Sequence, residues 1–183
     1  MERSTDWEPP SPEVEQLVRA VAERMRAVLD ELLPTVVQAI LRGSPDLAAD
    51  PVLAHLTAAS TNANVTRWVT ATAERADRLV GVDVPPEALD LARDVVRRGM
   101  GRDGLLTSYR TGQNVVWARW MRLAREEGLD GEDLVAVLDV GSRSLFAFVD
   151  GILGAIAEQM ERERDELIGG APARHRETVG LIL

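Results

Sequence analysis

Arg110 and Gln113 lie three residues apart in the stretch Asp103–Trp120, DGLLTSYRTGQNVVWARW. Leu106, Arg110, Gln113, Trp117 and Met121 follow one another at four, three, four and four residues, the spacing of one helical line. Leu105, Tyr109, Val116, Trp120 and Leu123 form a second line beside it, so the helix is apolar over a wide arc. A guanidinium set among large hydrophobes must find an acceptor. Asp150, amid Phe148, Val149 and Ile152, is the acceptor the sequence offers. The pattern predicts an Arg110–Asp150 ion pair that pins two helices together. Its preferred role is structural, fixing the packing; a switchable pair or an anion site is the functional alternative. On this reading Arg110→Ala costs about 3 kcal/mol or more, because it strands a buried carboxylate. Tyr109, Gln113, Trp117 and Asn64 complete the candidate pocket. Trp117 and Trp120 could bracket a ligand, but tryptophans so spaced more often anchor a core or an interface.

Other chemistry is poorly provided for. There are two histidines, His55 and His175, and no cysteine. Thiol catalysis, disulfides and Cys-ligated zinc are excluded, and no histidine-based catalytic or zinc motif is present. His55 as a haem ligand is weaker than His55 as an ordinary surface or hydrogen-bonded residue. Asp139 and Asp150, eleven residues apart, fall on one side of a helix about three turns distant, too far to act as a pair. Gly99, Gly101 and Gly104 have neither a preceding strand nor a following Lys-Ser/Thr, so they read as a helix stop and restart rather than a phosphate loop. No catalytic residue, cofactor site or metal site is expected, and the chain is not expected to be an enzyme.

The elements that must position these residues are helices. Residues 1–10 read as a flexible arm, although Trp7 could tuck onto the body. Ser11-Pro12-Glu13 starts a helix with a capping hydroxyl, a first-turn proline and an acid at the positive dipole end. Its apolar line, Val14, Leu17, Val21, Met25, Val28 and Leu32, runs to Leu33, where Pro34 should kink or break it. A short helix over Thr35–Leu41 stops at Gly43, and Ser44–Asp50 reads as a loop. Asp50-Pro51 restarts a helix expected to reach Val80. Leu53, Leu56, Ser60, Ala63 and Arg67 give it a weak line. Its middle, Thr57–Thr72, is dense in threonine and asparagine, which compete with the helix backbone for hydrogen bonds. The preferred reading is a partly exposed helix at a close crossing; the alternative is a polar pocket wall.

Pro85-Pro86-Glu87 opens a helix to about Arg98, and the helix from Gly104 to about Glu127 follows, with Asp103 as its cap. Asp130 starts the last long helix, whose line is Leu134, Val137 or Leu138, Gly141, Leu145, Phe148, Ile152, Ile156 and Met160. Beyond Glu158 the sequence EQMERERDELI reads as a solvated rod, ended by Gly169-Gly170-Ala171-Pro172. Residues 11–168 are thus expected to form one helical domain of about six helices. Residues 169–183 read as a linker and the start of a helix leading to a further domain.

The totals agree with one domain. The chain has 183 residues, enough for a sizeable core, of which 45% are hydrophobic but only 4% aromatic. Its net charge of -9 argues against holding nucleic acid by itself. The opening MERSTDWEPPSPE is acidic and proline-broken, unlike a signal peptide. The apolar run Leu145–Met160 contains Asp150 and Glu158 and reads as too short and too charged to span a bilayer. A cytoplasmic protein is the expectation.

Asn64, Ala92-Arg93, Gly99, Leu105-Leu106, Tyr109-Arg110-x-Gly112, Trp117 and Trp120, then Phe148-Val149-Asp150, resemble in order the N-terminal domain of actinobacterial PucR/CdaR-type transcriptional regulators. That domain is similar to the N-terminal domain of RsbRD-type co-antagonists of the kinase RsbT. The resemblance runs from about Val14 to Leu183. It implies an all-α sensory and dimerisation module, and the co-antagonist relatives imply a globin-like arrangement without haem. A regulatory domain that does not itself bind DNA, forms a homodimer and responds to an unidentified small-molecule effector is the expectation. A stressosome-type interaction scaffold with no small ligand is the alternative.

Overall fold

The computed structural model describes residues 7–179, with side chains for residues 7–168. Seven helices are described, with no strand among the described residues: α1 Pro12–Ala27, α2 Leu29–Gly43, α3 Pro45–Ala49, α4 Pro51–Glu74, α5 Pro86–Arg97, α6 Arg102–Glu126 and α7 Gly131–Val179. The all-α bundle is as the periodicity predicts.

Local chemistry sets several boundaries. Ser11 Oγ accepts from the Val14 amide at 3.3 Å, with Pro12 at the first helical position of α1. Asp50 Oδ1 accepts from the Val52 and Leu53 amides at 2.8 and 3.3 Å and so starts α4. Gly99, at φ 69°, ends α5 as its left-handed residue, and the Met100 amide reaches back to the Val95 carbonyl at 3.0 Å.

Other boundaries differ from expectation. The first break falls at Val28, six residues before Pro34, and Pro34 lies inside α2. The break lets α1 pack on α4 while α2 turns to pack on α6. The 44–50 segment contains α3, whose Leu47 is buried. α4 stops at Glu74 rather than Val80, because side chains from elsewhere occupy its end. Arg19 Nε of α1 donates to the Ala73 carbonyl at 3.0 Å, an acceptor the last turn of the helix leaves free. Arg75 turns away and clasps Asp77 through two nitrogens at 3.1 and 2.8 Å. Trp7 belongs to the body and not to a loose arm: its Nε1 donates to the Asp77 carbonyl at 3.0 Å, and Arg143 lies 5.0 Å from its ring centre. α6 begins at Arg102, so Asp103 sits in its first turn instead of capping it.

α7 packs against α5, α6 and α1. Val137, Gly141, Leu145, Phe148, Ile152, Ile156 and Met160 are buried on it, the line read from the sequence. Each large apolar side chain so buried contributes roughly 1.5–3 kcal/mol. A stretch of α7 within Gly131–Ile168 is apolar and long enough to cross a bilayer by composition alone, and less than half of it is buried in the bundle. The body also extends further along α7 than the charge pattern suggests. Glu163 is buried and accepts from Arg97 Nε of α5 at 2.7 Å, and exposure is continuous only from Arg164 to Ile168. No helix break falls at residues 169–172; α7 runs on to Val179. The last residues of the expected second helix, 180–183, lie outside the described residues.

At the centre, Trp68 of α4 and Trp120 of α6 meet at 5.3 Å between ring centres, inclined at 60°. Trp68 Nε1 donates to Ser144 Oγ at 3.2 Å. The Trp120 indole lies directly on Gly141 of α7, where a Cβ would stand 2.5 Å from Nε1. These three helices are thereby brought close enough to enclose a cavity.

Candidate functional site: a polar cluster in a buried cavity

α4 presents Leu53, Thr57, Ser60, Asn64, Trp68 and Thr72 to the interior, at spacings of four, three, four, four and four. This line is one residue out of phase with much of the line read from the sequence. Small polar side chains can occupy it because a partner helix satisfies them. Tyr109 of α6 brings its phenol oxygen to 3.2 Å from Ser60 Oγ and 3.2 Å from Asn64 Nδ2. Asn64 Nδ2 also reaches Ser60 Oγ at 3.4 Å. Burial pushes the Tyr109 hydroxyl up to about 12, partly offset by its hydrogen bonds to Ser60 and Asn64.

The hydrogen-bonding capacity of the cluster is not used up. The two Asn64 amide protons go to Ser60 and Tyr109, and one of those hydroxyls donates to the other. No acceptor within this triad remains for the second hydroxyl proton. Asn64 Oδ1 and Thr57 Oγ1 are buried and have no hydrogen-bond partner among the described residues. Asn64 is only 8% exposed and Thr57 only 2%. Turning the Asn64 amide over would let its oxygen accept the remaining hydroxyl proton and leave its NH2 unpaired instead, so one end of the amide is unsatisfied in either setting.

These residues line a cavity of about 60 Å³ between α2, α4, α5, α6 and α7. Thr57, Ser60, Asn64, Tyr109 and Gln113 are among its lining residues, but the surface it exposes is almost wholly apolar, with Val36, Ile40, Val116, Leu145, Phe148 and Ile152 around it. The lining holds no charged residue. Gly112 sets the approach of α2: a Cβ there would stand 3.1 Å from Ile40 Cδ1 and 3.5 Å from Val36 Cγ1. A larger depression of about 370 Å³ lies between α2 and α6, lined by Glu31, Thr35, Asn114, Arg119 and Arg122. Its residues carry none of the buried unpartnered atoms, so the smaller cavity is the better built site.

Of the candidate residues, Asn64, Tyr109 and Gln113 come together in the cavity wall. Trp117 stands outside it, partly buried, with its ring edge-on to Phe146 at 6.0 Å. The expected Arg110–Asp150 pair does not form: both residues are exposed, and no ion pair joins them among the described residues. The reason is helical phase. On α6 the buried line is Leu105, Ser108, Gly112, Val116 and Trp120, and Arg110 stands two residues, about 200°, from both Ser108 and Gly112. Asp150 stands equally far from the buried Phe148 and Ile152 on α7. His55 is exposed on α4. Ser60 is on the line read for α4, whereas Thr57, Trp68 and Gly112 are site residues that pattern reading missed. The signal was the four-three-four-four spacing that carries Trp68 onto the same line as Thr57, Ser60 and Asn64.

The sequence matches the family of the RsbT co-antagonist protein rsbRD N-terminal domain over residues 30–175. No curated protein and no solved structure is significantly similar to the chain. The matched span contains every wall of the cavity and α7 as far as residue 175, so helices, cluster and sequence identify one unit: the chain belongs to the RsbT co-antagonist rsbRD N-terminal domain family.

Proposed function

We propose that the chain is the signal-sensing and dimerising N-terminal domain of a PucR-like transcriptional regulator, and that it does not itself contact DNA. One observation carries the sensing reading: a cavity within the bundle, mostly apolar, with the Ser60–Asn64–Tyr109 cluster among its lining residues. A concave apolar space with a few polar groups beside it is the usual form of a small-molecule site. The same wall favours binding over turnover. No residue in it ionises near neutral pH, and Tyr109 keeps its proton to about 12, so the wall offers no general base. The net charge of -9 is unsuited to a phosphate backbone and is consistent with an intracellular regulator whose DNA contacts are made elsewhere.

The homodimer draws support from α7. Val135, Phe146 and Ile168 are large, exposed and within about 60° of one another around the helix. The same line favours the second reading, a stressosome-type scaffold that recognises protein partners without a small ligand.

Thermal unfolding against a panel of small metabolites separates the two. A sensor gives a rise in Tm that grows with effector concentration, whereas a scaffold gives none with any compound. Light scattering that finds only monomer at high concentration would remove the dimer.

A further inference from the structure

We propose that the outward face shared by α6 and α7 is where two copies of this chain meet, about a two-fold axis that runs along the helices and sets Arg110 of each copy opposite the partner's Asp150. This rests on the dimer reading and names the surface and the geometry that it uses.

α7 is more apolar than the bundle requires, since its most apolar stretch is only 44% buried. What is left over is ordered. Val135 is 68% exposed and Phe146 42%, and with the partly exposed Leu153 and Ala157 they fall within about 40° of one another around the helix. α6 lays a second line beside this one. Its Trp117 meets Phe146 edge-on at 6.0 Å, and its Leu106 shares a surface depression of about 220 Å³ with Leu153 and Ala157. The contacts rise along one helix as they descend along the other, so α6 and α7 run antiparallel. From Val135 to Ala157 the face is about 33 Å long, and two helices make it roughly 20 Å wide. Two copies would together bury roughly 1,300 Å², inside the range of specific complexes.

The charges on the face select a second copy over a lipid or a wholly apolar segment. Arg110 and Asp150 are exposed and join no ion pair among the described residues. Arg110 stands about 20° around α6 from Trp117, and Asp150 about 40° around α7 from Phe146. Each lies on the side away from Gln113 and Val149, which line the cavity, so the two charges flank the apolar seam. Hydrocarbon would strand both. Their levels fit an opposite charge instead. Trp117 is level with Phe146 and Leu106 with Leu153 and Ala157, which puts Arg110 level with about residue 153. Asp150 is some 4–5 Å along α7 from there, within the span of an arginine side chain. A two-fold along the helices keeps each residue at its level and lays α6 of one copy on α7 of the other, so the pair forms twice. A two-fold across the helices stacks α6 on α6 and α7 on α7 and separates the charges. Both pairs stand at the rim, where removing a charge costs little and juxtaposing like charges costs more.

The test uses the whole chain. It has no cysteine, so introduced thiols report alone. Arg110→Cys and Asp150→Cys are oxidised separately and as a mixture, and the mixture is expected to give several-fold more disulfide-linked dimer than either variant by itself. Sedimentation measures the rest. Arg110→Glu, which sets two acids face to face, should weaken the dimer about tenfold or more, and Asp150→Arg added to the same chain should recover most of that. Arg122→Glu, the same change of charge on the α2 side of α6, should leave the dimer unchanged. Phe146→Ser should weaken it as much as Arg110→Glu does. Circular dichroism confirms that each variant keeps its helix content. A dimer that survives both Arg110→Glu and Phe146→Ser, no recovery in the double variant, or a mixture that cross-links no better than its components overturns this face and leaves the dimer standing. A parent chain that sediments only as monomer at high concentration removes the dimer and this face together.

Discussion

The Asn64 amide donates to the Tyr109 phenol oxygen at 3.2 Å across 45 residues of sequence, tying α4 to α6 at the cavity wall. Tyr109 is the chain's single tyrosine, so its ionisation can be read without interference. Tyrosinate absorbance should develop with a midpoint near pH 12 in the folded chain and near the ordinary 10.0 in denaturant. The sign is fixed by linkage. The unfolded state releases this proton first, so the contribution of Tyr109 is complete below pH 10 and falls as pH rises toward about 12. A midpoint near 10 with native circular dichroism would place the hydroxyl in water.

Arg110→Ala should change unfolding free energy by no more than about 0.5 kcal/mol, the usual range for an exposed side chain with no ion-pair partner among the described residues. Asp150→Ala should behave alike. Chemical denaturation measures both. A loss near the 3 kcal/mol expected of a buried ion pair would restore the pairing that the helical phase removes.

Gly141→Ala should destabilise the bundle by about 1–3 kcal/mol, because the new methyl meets the Trp120 indole in the packed centre. Gly151→Ala also produces a close approach, of its Cβ to Val82 Cγ2. Val82 is exposed, on the connection between α4 and α5, and can shift aside. The smaller loss is therefore expected at Gly151. Equal losses in denaturant unfolding would mean that the 75–85 connection is as firmly held as the core.

Asp50 caps α4 and also accepts from Arg98 Nε at 2.6 Å. The Arg98 hydrogen bond, with the Leu53 and Val52 amides, holds its carboxyl below the ordinary 3.8. A depressed carboxyl stabilises the fold above the unfolded value, and that contribution is lost as pH falls below about 4 through the folded value. Asp50→Asn keeps an equally good capping acceptor but cannot titrate. Its Tm should therefore fall less steeply than that of the parent between pH 5 and pH 3. A slope unchanged from the parent would show that the Arg98 contact adds nothing.

Most of the helical framework is legible in the chain. Ser11-Pro12, Asp50-Pro51 and Gly99 carry their own stop and start chemistry, and the inward line of α7 can be read residue by residue. The phase of α6 cannot. Its Leu106–Gln113–Trp117 line and its Leu105–Val116–Trp120 line have the same period and similar bulk, and they differ by one residue of rotation. What selects between them is Gly112, which admits Ile40 of α2, and that meeting is invisible until the helices are packed. The inward line of α4 is hidden for a related reason. Leu56, Ala63 and Arg67 compete with Thr57, Asn64 and Trp68 for the inward side, and Tyr109 from a distant helix satisfies Ser60 and Asn64 there. The end of α4 is likewise set from outside, by Arg19 and Trp7.

Phe148 stands in the cavity wall, and the helix that carries it continues without interruption to Val179. Ile152, Ile156, Met160 and Glu163 hold it to the body beyond that point, so the length that projects runs only from Arg164 to Val179. Sixteen residues at ~1.5 Å each make a rod of roughly 24 Å. A tilt of about 5° at its base would move the tip by only about 2 Å, so any larger displacement requires α7 to slide or turn against α5 as one piece.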